Sequence, residues 1–515
     1  MAWTRTGRHF LALDPAHLWQ VLADLSRLPE WNPAVAAMAP ASGNRGSARA
    51  GDEYRFVPRP PVAGGLIGAV HARTAPPVRV TEAEPAAALA WRQAQPGGGM
   101  LVRWTLREYR GGTVLEQRVS ADGPVAVAAA GAAAAPIAAD FALNAARLYA
   151  LVAAAETGDG PPVLPAPRSG LKTVIAGGTG FLGRRLAADL LTRGHDVVLL
   201  TRRPDPALPF RQTVWDGRTA GAWVSELDDS EPDDSEPGDS RSSGASGPDA
   251  AAGARRRVAV VNLAGRLVDV RPTPANIAEL RRSRVEPTRA LAEASRRHPV
   301  DLWIQGSTTA LYGDAGETAV TEDSPLPATD GAPRGASGGP RALEQMTGVA
   351  VPWEAAADAA DAGTRYTLRT SIVLDRGCPA FDRLALLGRA GLGRVGTGRQ
   401  WFSWIHVDDW LAVVRTMLGL TDGAALPEGP VIAAAPEPVR NEDLMDVLRG
   451  ALAPGALRRL GARTPEPLLR AGAAVLRTDP ELALTGRHTT SRVLADAGFR
   501  FEHPSLRAAL QDILE

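Results

Sequence analysis

LKTVIAGGTGFLGRRLAADLLTRGHDVVLLTRR, Leu171 to Arg203, is the stretch whose reading decides the fold of the larger part of this chain. Lys172 to Ala176 form a short apolar run, glycines follow at 177, 180 and 183, and Leu182, Leu186, Ala187, Leu190 and Leu191 recur at helical spacing up to Gly194. A second buried run, Asp196 to Leu200, completes a strand, glycine turn, helix, strand order. The missing side chains of a G-x-x-G-x-x-G turn allow a tight bend and let backbone N–H groups and a helix N-terminus approach a pyrophosphate. Gly177, Thr179, Gly180, Phe181, Leu182 and Gly183 are therefore the residues expected to cradle a dinucleotide. Where an NAD-specific site would place Asp or Glu to bind the ribose hydroxyls, this chain has Thr201, Arg202 and Arg203. Guanidinium groups suit a 2′-phosphate and a carboxylate would repel it, so the expected cofactor is NADP(H). At least one of the two arginines is expected to touch phosphate, the other remaining compatible with an ordinary solvated charge.

Working outward, Arg257 to Asn262, Leu302 to Gly306 and Tyr366 to Leu374 read as further buried strands of an α/β, doubly wound parallel sheet. The whole chain has 515 residues, enough for about three folding units at roughly 150 residues each. Apolar residues make up 45% and charged residues 22%, so cores can be buried and wholesale disorder is not expected. Lys+Arg 57 against Asp+Glu 57 leaves no overall charge to attract nucleic acid. The longest run of low polarity, Val125 to Asp140, is mostly alanine and is interrupted by Pro136, so no membrane insertion is expected. No export signal is evident at the N-terminus, and Cys378 is the only cysteine, which points to the cytoplasm. Small-molecule substrates are the expected partners, and the oligomeric state is open.

Thr157 to Gly170, TGDGPPVLPAPRSG, has the composition of a connector. Ser225 to Arg257 is acidic and rich in Ser, Gly and Pro, and reads as a disordered surface insertion without activity of its own. Pro325 to Pro340 reads as a mobile loop. Before the connector, Asp14 and Pro15 stand in N-cap and N1 order ahead of Leu18, Trp19, Val21, Leu22, Leu25 and Leu28, which marks a helix. Strand-like segments follow at Glu53 to Val57, Val78 to Glu82, Leu101 to Tyr109 and Gly112 to Val119, then a long helical pattern from Ile137 to Ala155. This is an α+β order.

With LWQVLADLSRLPEWNP (Leu18 to Pro33), the first part resembles the helix-grip superfamily of START-related, polyketide-cyclase-like domains. The resemblance implies a curved antiparallel sheet around the long helix and an apolar cavity that binds a hydrophobic small molecule. Trp19, Leu28 and Trp31 taken singly are more readily core residues than ligand contacts. From Lys172 onward the text resembles the extended short-chain dehydrogenase/reductase family, in its epimerase-like subgroup. It does so through GGTGFLGR, VWDG (Val214 to Gly217), NLAG (Asn262 to Gly265), SRVEPTRAL (Ser283 to Leu291), STTALYGDAG (Ser307 to Gly316), PWEAA (Pro352 to Ala356), GRQWFSWIHVDDW (Gly398 to Trp410), APEPVRNEDL (Ala435 to Leu444) and GFRFEHPSLRAAL (Gly498 to Leu510). Together the readings give a helix-grip domain over 1–156, a linker over 157–170, a Rossmann-type domain over 171–435 carrying the insertion 225–257, and a small C-terminal lobe over 436–515.

The resemblance implies an oxidoreductase or epimerase, with Ala264 and Gly265 added to the cofactor cradle and Thr308 at the position that orients substrate oxygen. The family's Tyr-x-x-x-Lys acid/base pair is absent: its positions hold Met346 and Ala350, and Lys172 is the only lysine in the chain. The epimerase-like subgroup lacks that pair too, so the departure does not by itself mean a dead enzyme. Tyr312 is then the candidate acid/base beside Thr308. His406 in WIHVDD, with Asp408 and Asp409, is a second candidate, but a histidine among Trp404, Ile405 and Val407 reads more readily as a satisfied structural residue, with the aspartates capping a helix. Trp401, Phe402 and Trp404 suit a pocket wall or packing equally. The eight histidines show no HxH, HxxxH or HExxH spacing, so no metal site is expected. Loss of the acid/base pair keeps a second reading open, a non-catalytic sensor in which the nucleotide gates binding in the helix-grip cavity.

Overall fold

The computed structural model describes residues 3–42, 46–59, 76–95, 97–123, 134–156, 170–228, 256–268, 270–326, 342–423, 425–464, 466–467 and 484–514. The expected connector up to residue 169, the insertion from 229 to 255 and the loop from 327 to 341 lie outside the described residues.

The first domain is a seven-stranded antiparallel sheet in the order β1-β7-β6-β5-β4-β3-β2. Its strands are β1 (Trp3–Leu11), β2 (Val35–Pro40), β3 (Glu53–Pro58), β4 (Val78–Glu84), β5 (Ala88–Gln95), β6 (Gly98–Tyr109) and β7 (Gly112–Asp122). Helix α1 (Pro15–Leu22) starts as read: the Asp14 carboxylate accepts from the Ala16 N–H at 2.7 Å and Pro15 occupies the first turn. The long helix is α2 (Phe141–Glu156), not one piece from Ile137: a short helix, Ala134–Ala138, precedes it and Asp140 at φ 47° turns the chain between them. Phe141 lies so close to Gly7 of β1 that a Cβ there would come within 2.9 Å of its ring. The helix can therefore sit directly on the strand only because residue 7 is glycine.

Between sheet and helix, Trp31 and Trp104 pack edge to face at 5.6 Å, and Phe56 and Trp91 pack tilted at 5.4 Å. Gln117 accepts from the Trp104 indole N–H and, with Asn32, donates to the Ile137 carbonyl, so the buried polar atoms there satisfy one another. A cleft of about 300 Å³ opens elsewhere, where Asn32, Pro33, Asp140 and Asn144 of the first domain face Arg184, Asp205 and Leu208 of the second.

The second domain is a seven-stranded parallel sheet in the order β10-β9-β8-β11-β12-β13-β16. It comprises β8 (Leu171–Ala176), β9 (Asp196–Thr201), β10 (Arg211–Val214), β11 (Arg257–Asn262), β12 (Val300–Thr308), β13 (Ala362–Thr370) and β16 (Gly429–Ala433). Helices α3 (Phe181–Thr192), α4 (Pro274–Ser295) and α5 (Ala342–Ala355) connect them. The order doubles back between β8 and β11, which opens a crevice at the carboxyl ends of the strands. The run read as one strand from Tyr366 to Leu374 divides: β13 ends at Thr370, and β14 (Ile372–Leu374) leaves the sheet to pair with β15 (Trp404–His406). After β15 come α6 (Val407–Met417), α7 (Asn441–Leu452) and, near the C-terminus, α8 (Leu506–Leu514), whose Leu506, Ala509, Leu510 and Ile513 pack on Leu444, Met445 and Leu448 of α7. Among the described residues no helix is long and apolar enough to cross a membrane.

Two expectations need correction. Ser225 to Asp228, read as the start of disorder, are ordered: a 3-10 turn over Ala222–Leu227 buries Trp223 and Leu227, and Glu226 pairs with Lys172 at 3.1 Å. The cause is the buried Lys172 ammonium, which needs a counter-charge at that end of β8. Arg257, assigned to the same insertion, is the first residue of β11. The two domains also share one continuous apolar core rather than standing apart. The Ala12 N–H donates to the Thr192 carbonyl at 2.6 Å, His9 Nε2 lies 2.9 Å from Thr192 Oγ1, and the Arg147 guanidinium of α2 donates twice to the Ala207 carbonyl on the loop after β9.

Candidate active site

The glycine turn leaves β8 with Gly177 at φ +77°, a conformation costly for any residue with a side chain. Gly180 is the N-cap of α3, and its only close neighbour toward a Cβ is the Gly177 carbonyl at 3.2 Å, so the space above the turn is open. At Gly183 a Cβ would sit 2.6 Å from both the Gly177 carbonyl oxygen and Gly178 Cα, so only glycine lets the helix close on the loop. Thr179 is exposed and Phe181 and Leu182 are half-buried at the same rim. These features fit a pyrophosphate laid across the N-terminus of α3.

On the far side of the crevice, Asn262 is fully buried at the end of β11. Its amide donates to Thr288 Oγ1 (2.7 Å) and Gln305 Oε1 (3.1 Å), and its oxygen takes the Ala264 N–H, which fixes the NLAG turn against the glycine loop. Gly265 is exposed, with the Arg284 guanidinium beside it; burial lowers that arginine to about 10, and the group stacks over Trp353 at 5.1 Å. Arg202 and Arg203 stand exposed after β9 with no carboxylate ion-paired to them among the described residues.

A compact polar network occupies the ends of β12 and β13. Arg369 donates from Nε and Nη2 to the two oxygens of Glu354 at 3.1 and 2.9 Å, and from Nη1 to the Tyr312 hydroxyl at 2.6 Å. The Ser307 hydroxyl donates to the same Glu354 carboxylate. Burial raises the Tyr312 phenol, and the adjacent guanidinium works against that rise without cancelling it. Thr308 lies at the rim as the N-cap of the turn Thr309–Tyr312, its Oγ1 accepting from the Ala310 N–H at 3.2 Å. Ala350, at the position of the family's lysine, is buried against Leu311 and Tyr312. Thr308 and Tyr312, singled out from sequence, thus fall together, whereas Glu354 and Arg369 went unread. Glu354 lay in plain view within PWEAA; for Arg369 no local signal existed.

His406, read as a satisfied structural residue, is satisfied only in part. It is itself the N-cap of α6, its Nδ1 accepting from the Asp408 N–H at 3.2 Å, and its buried Nε2 has no hydrogen-bond partner. Asp409 takes the Glu502 and His503 N–H groups, so it anchors the C-terminal segment. The expectation of no metal-ligating group rested on spacing within short motifs, and His406 and His503 approach each other only in space. Trp404 packs fully buried, and Trp401 stacks on His488 at 4.0 Å, so both are packing residues between the sheet and the C-terminal lobe.

Three family models match the chain: NAD dependent epimerase/dehydratase family over 173–333, a domain of unknown function (DUF1731) over 464–513, and polyketide cyclase / dehydrase and lipid transport over 6–156. The chain joins an epimerase-family domain to a polyketide-cyclase-like domain. Epimerase family protein SDR39U1 of Bos taurus is 28% identical over 67% of this chain and 100% of its own length. Epimerase family protein MT2273 of Mycobacterium tuberculosis is 29% identical over 65% of this chain and 95% of its own. The crystal structure of human SDR39U1 with NADPH superposes on the epimerase-family part with a TM-score of 0.50 at 27% identity, covering 67% of this chain and 99% of that one. A nucleoside-diphosphate sugar epimerase from Corynebacterium glutamicum aligns over 99% of this chain and 90% of its own, with a TM-score of 0.54 and 22% identity. That likeness speaks for the fold alone, and it extends across both the epimerase-family and the polyketide-cyclase-like domains.

Proposed function

We propose that the epimerase-family domain is an NADP(H)-dependent oxidoreductase or epimerase acting on a carbonyl or alcohol, and that the polyketide-cyclase-like domain binds an apolar small molecule. On this reading the chain divides into 1–156, 157–170, 171–435 and 436–515. The observation that carries the proposal is the open glycine turn at Gly180 followed, at the end of β9, by two exposed arginines with no carboxylate ion-paired to them among the described residues. The NADPH-bound human relative supports the same reading. Gly177, Thr179, Gly180, Phe181, Leu182 and Gly183 would hold the pyrophosphate, Arg202 and Arg203 the 2′-phosphate, and Ala264 and Gly265 the opposite wall.

Bound NADP(H) supplies or accepts the hydride. Tyr312, kept protonated by burial, is already accepting from Arg369, so its own O–H is free to donate to a substrate oxygen. The guanidinium then stabilises the phenolate left behind, and Glu354 holds the guanidinium in place. Thr308 at the rim orients the same oxygen. Glu354 and Arg369 are positioning residues for this chemistry.

The test is titration of the full chain with NADPH and NADH, followed by turnover assays on a panel of aldehydes, ketones and sugar nucleotides. Preferential NADPH binding with oxidation by any panel member supports the proposal. Tight NADPH binding without turnover on any of them favours the sensor, and absence of NADPH binding removes both.

A further inference from the structure

Four side chains that could ligate a metal converge from two separate parts of the chain. His406 ends β15, Asp408 lies in the first turn of α6, His503 precedes α8, and Asp512 lies on α8. Each offers one nitrogen or carboxylate oxygen, and these atoms all lie within 4.8 Å of one another. His406 is 2% and His503 8% exposed, and Nε2 of each is buried without a hydrogen-bond partner. The Asp512 carboxylate stands 3.4 Å from His406 Nε2, and Asp408 stands 3.7 Å from His406 Nδ1 and 4.0 Å from His503 Nε2. The two rings lie 3.8 Å apart at 39°.

Buried polar atoms in a folded protein are nearly always paired, so two unpartnered imidazole nitrogens facing two carboxylates describe donors arranged around something other than each other. We propose that His406, Asp408, His503 and Asp512 bind one divalent transition-metal ion, zinc by its chemistry. Two imidazoles and two carboxylates form a nitrogen and oxygen set that suits zinc, and ligand atoms about 3.3 Å apart surround an ion that sits about 2.0–2.1 Å from each. Neutral imidazoles with two carboxylates carry a formal charge of minus two, which the ion neutralises. His406 Nδ1 now accepts from the Asp408 N–H, so the ring proton is on Nε2. Coordination at Nε2 moves the ring proton to Nδ1, which gives up the Asp408 N–H, so the imidazole stays neutral and no net proton is lost. Asp409, 1% exposed, is a positioning residue: by accepting the Glu502 and His503 N–H groups at 2.7 and 3.0 Å it holds the His503 loop against α6. The bound ion would clamp the end of the chain to the epimerase-family domain.

Full-length, tag-free protein is stripped with a chelator, exposed to zinc and desalted, and its metal is measured by mass spectrometry. Cobalt then replaces zinc for visible spectroscopy. One zinc per chain, a tetrahedral cobalt spectrum, loss of both in His503→Ala and in the near-isosteric Asp512→Asn, and their retention in His298→Ala support the site. The Asp409→Asn variant is expected to weaken zinc binding about tenfold to a hundredfold. Circular dichroism of each variant separates loss of metal from loss of fold. If the wild-type chain retains no zinc, or a folded Asp512→Asn variant retains as much as wild type, the proposal is overturned.

Discussion

The Tyr312 hydroxyl accepts a 2.6 Å hydrogen bond from Arg369 Nη1 while the same guanidinium lies 5.3 Å from the centre of the tyrosine ring. The cation thus contacts both the oxygen that would carry charge and the face of the ring. Tyr312→Phe is expected to leave NADPH affinity within about twofold and to lower kcat by roughly a hundredfold to ten-thousandfold, the span typical of a positioned acid/base. Fluorescence titration alongside turnover measures both.

Arg369 and Glu354 are nearly buried together, with side chains 9% and 15% exposed. Arg369→Ala strands the Glu354 carboxylate and takes the donor from the Tyr312 hydroxyl, so the free energy of unfolding, read by denaturant titration, is expected to fall by about 3–5 kcal/mol. Replacing both Arg369 and Glu354 by apolar residues should recover most of that loss, since no lone charge remains.

At the glycine turn the sign depends on which glycine changes. A Cβ at Gly180 meets only one atom at 3.2 Å, so Gly180→Ala should retain fold and much of the NADPH affinity. Gly180→Asp should abolish binding by bringing a carboxylate to the pyrophosphate. Gly183→Ala, meeting two backbone atoms at 2.6 Å, should lose binding for steric reasons. Calorimetric titration of the three proteins distinguishes these outcomes.

Arg202→Ala and Arg203→Ala are expected to weaken NADPH binding by about tenfold or more at a residue that contacts phosphate and to leave NADH affinity unchanged, since one charge-assisted hydrogen bond contributes roughly 1.5–3 kcal/mol. Equal effects on both nucleotides would remove these arginines from the 2′-phosphate.

Acid should weaken the domain junction. Burial holds the half-buried His9 down at about 4 and His195 at about 4, against 6.5 for a free imidazole. The unfolded chain therefore binds more protons than the folded one between these values, and stability that is full above about pH 6.5 declines toward pH 4. Asp189 opens a second, lower window. Burial alone would raise it, but the charges of Arg415 and Arg193 outweigh burial and hold it at about 2, so its share is lost as pH falls from 3.8. Denaturation midpoints at several pH values check both windows, and His9→Gln should flatten part of the upper one.

The glycine turn, the helix behind it, the arginines at the end of β9 and the parallel order of β8, β9, β11 and β12 were all legible in the sequence. Each is set within a few residues, by periodicity, by missing side chains or by charge next to a strand end. In the polyketide-cyclase-like domain β3, β4, β6 and β7 were legible for the same reason. β1, β2 and β5 were not, because WTRTGRHFL, VAAMAP and ALAWRQAQ lack a clear alternation of apolar and polar residues and gain their pairing from neighbouring strands. Only the tertiary structure decided the rest. Glu354 and Arg369 meet Ser307 and Tyr312 because β12 and β13 end side by side at the carboxyl end of the sheet, with Glu354 of α5 against them. His406 meets His503 and Asp512 because α8, packed on α7 and β14, brings Asp512 to the start of α6. Such contacts depend on burial and charge pairing between segments far apart in the chain, which no local pattern encodes, whereas a strand-to-helix turn is fixed by the backbone freedom of the residues within it.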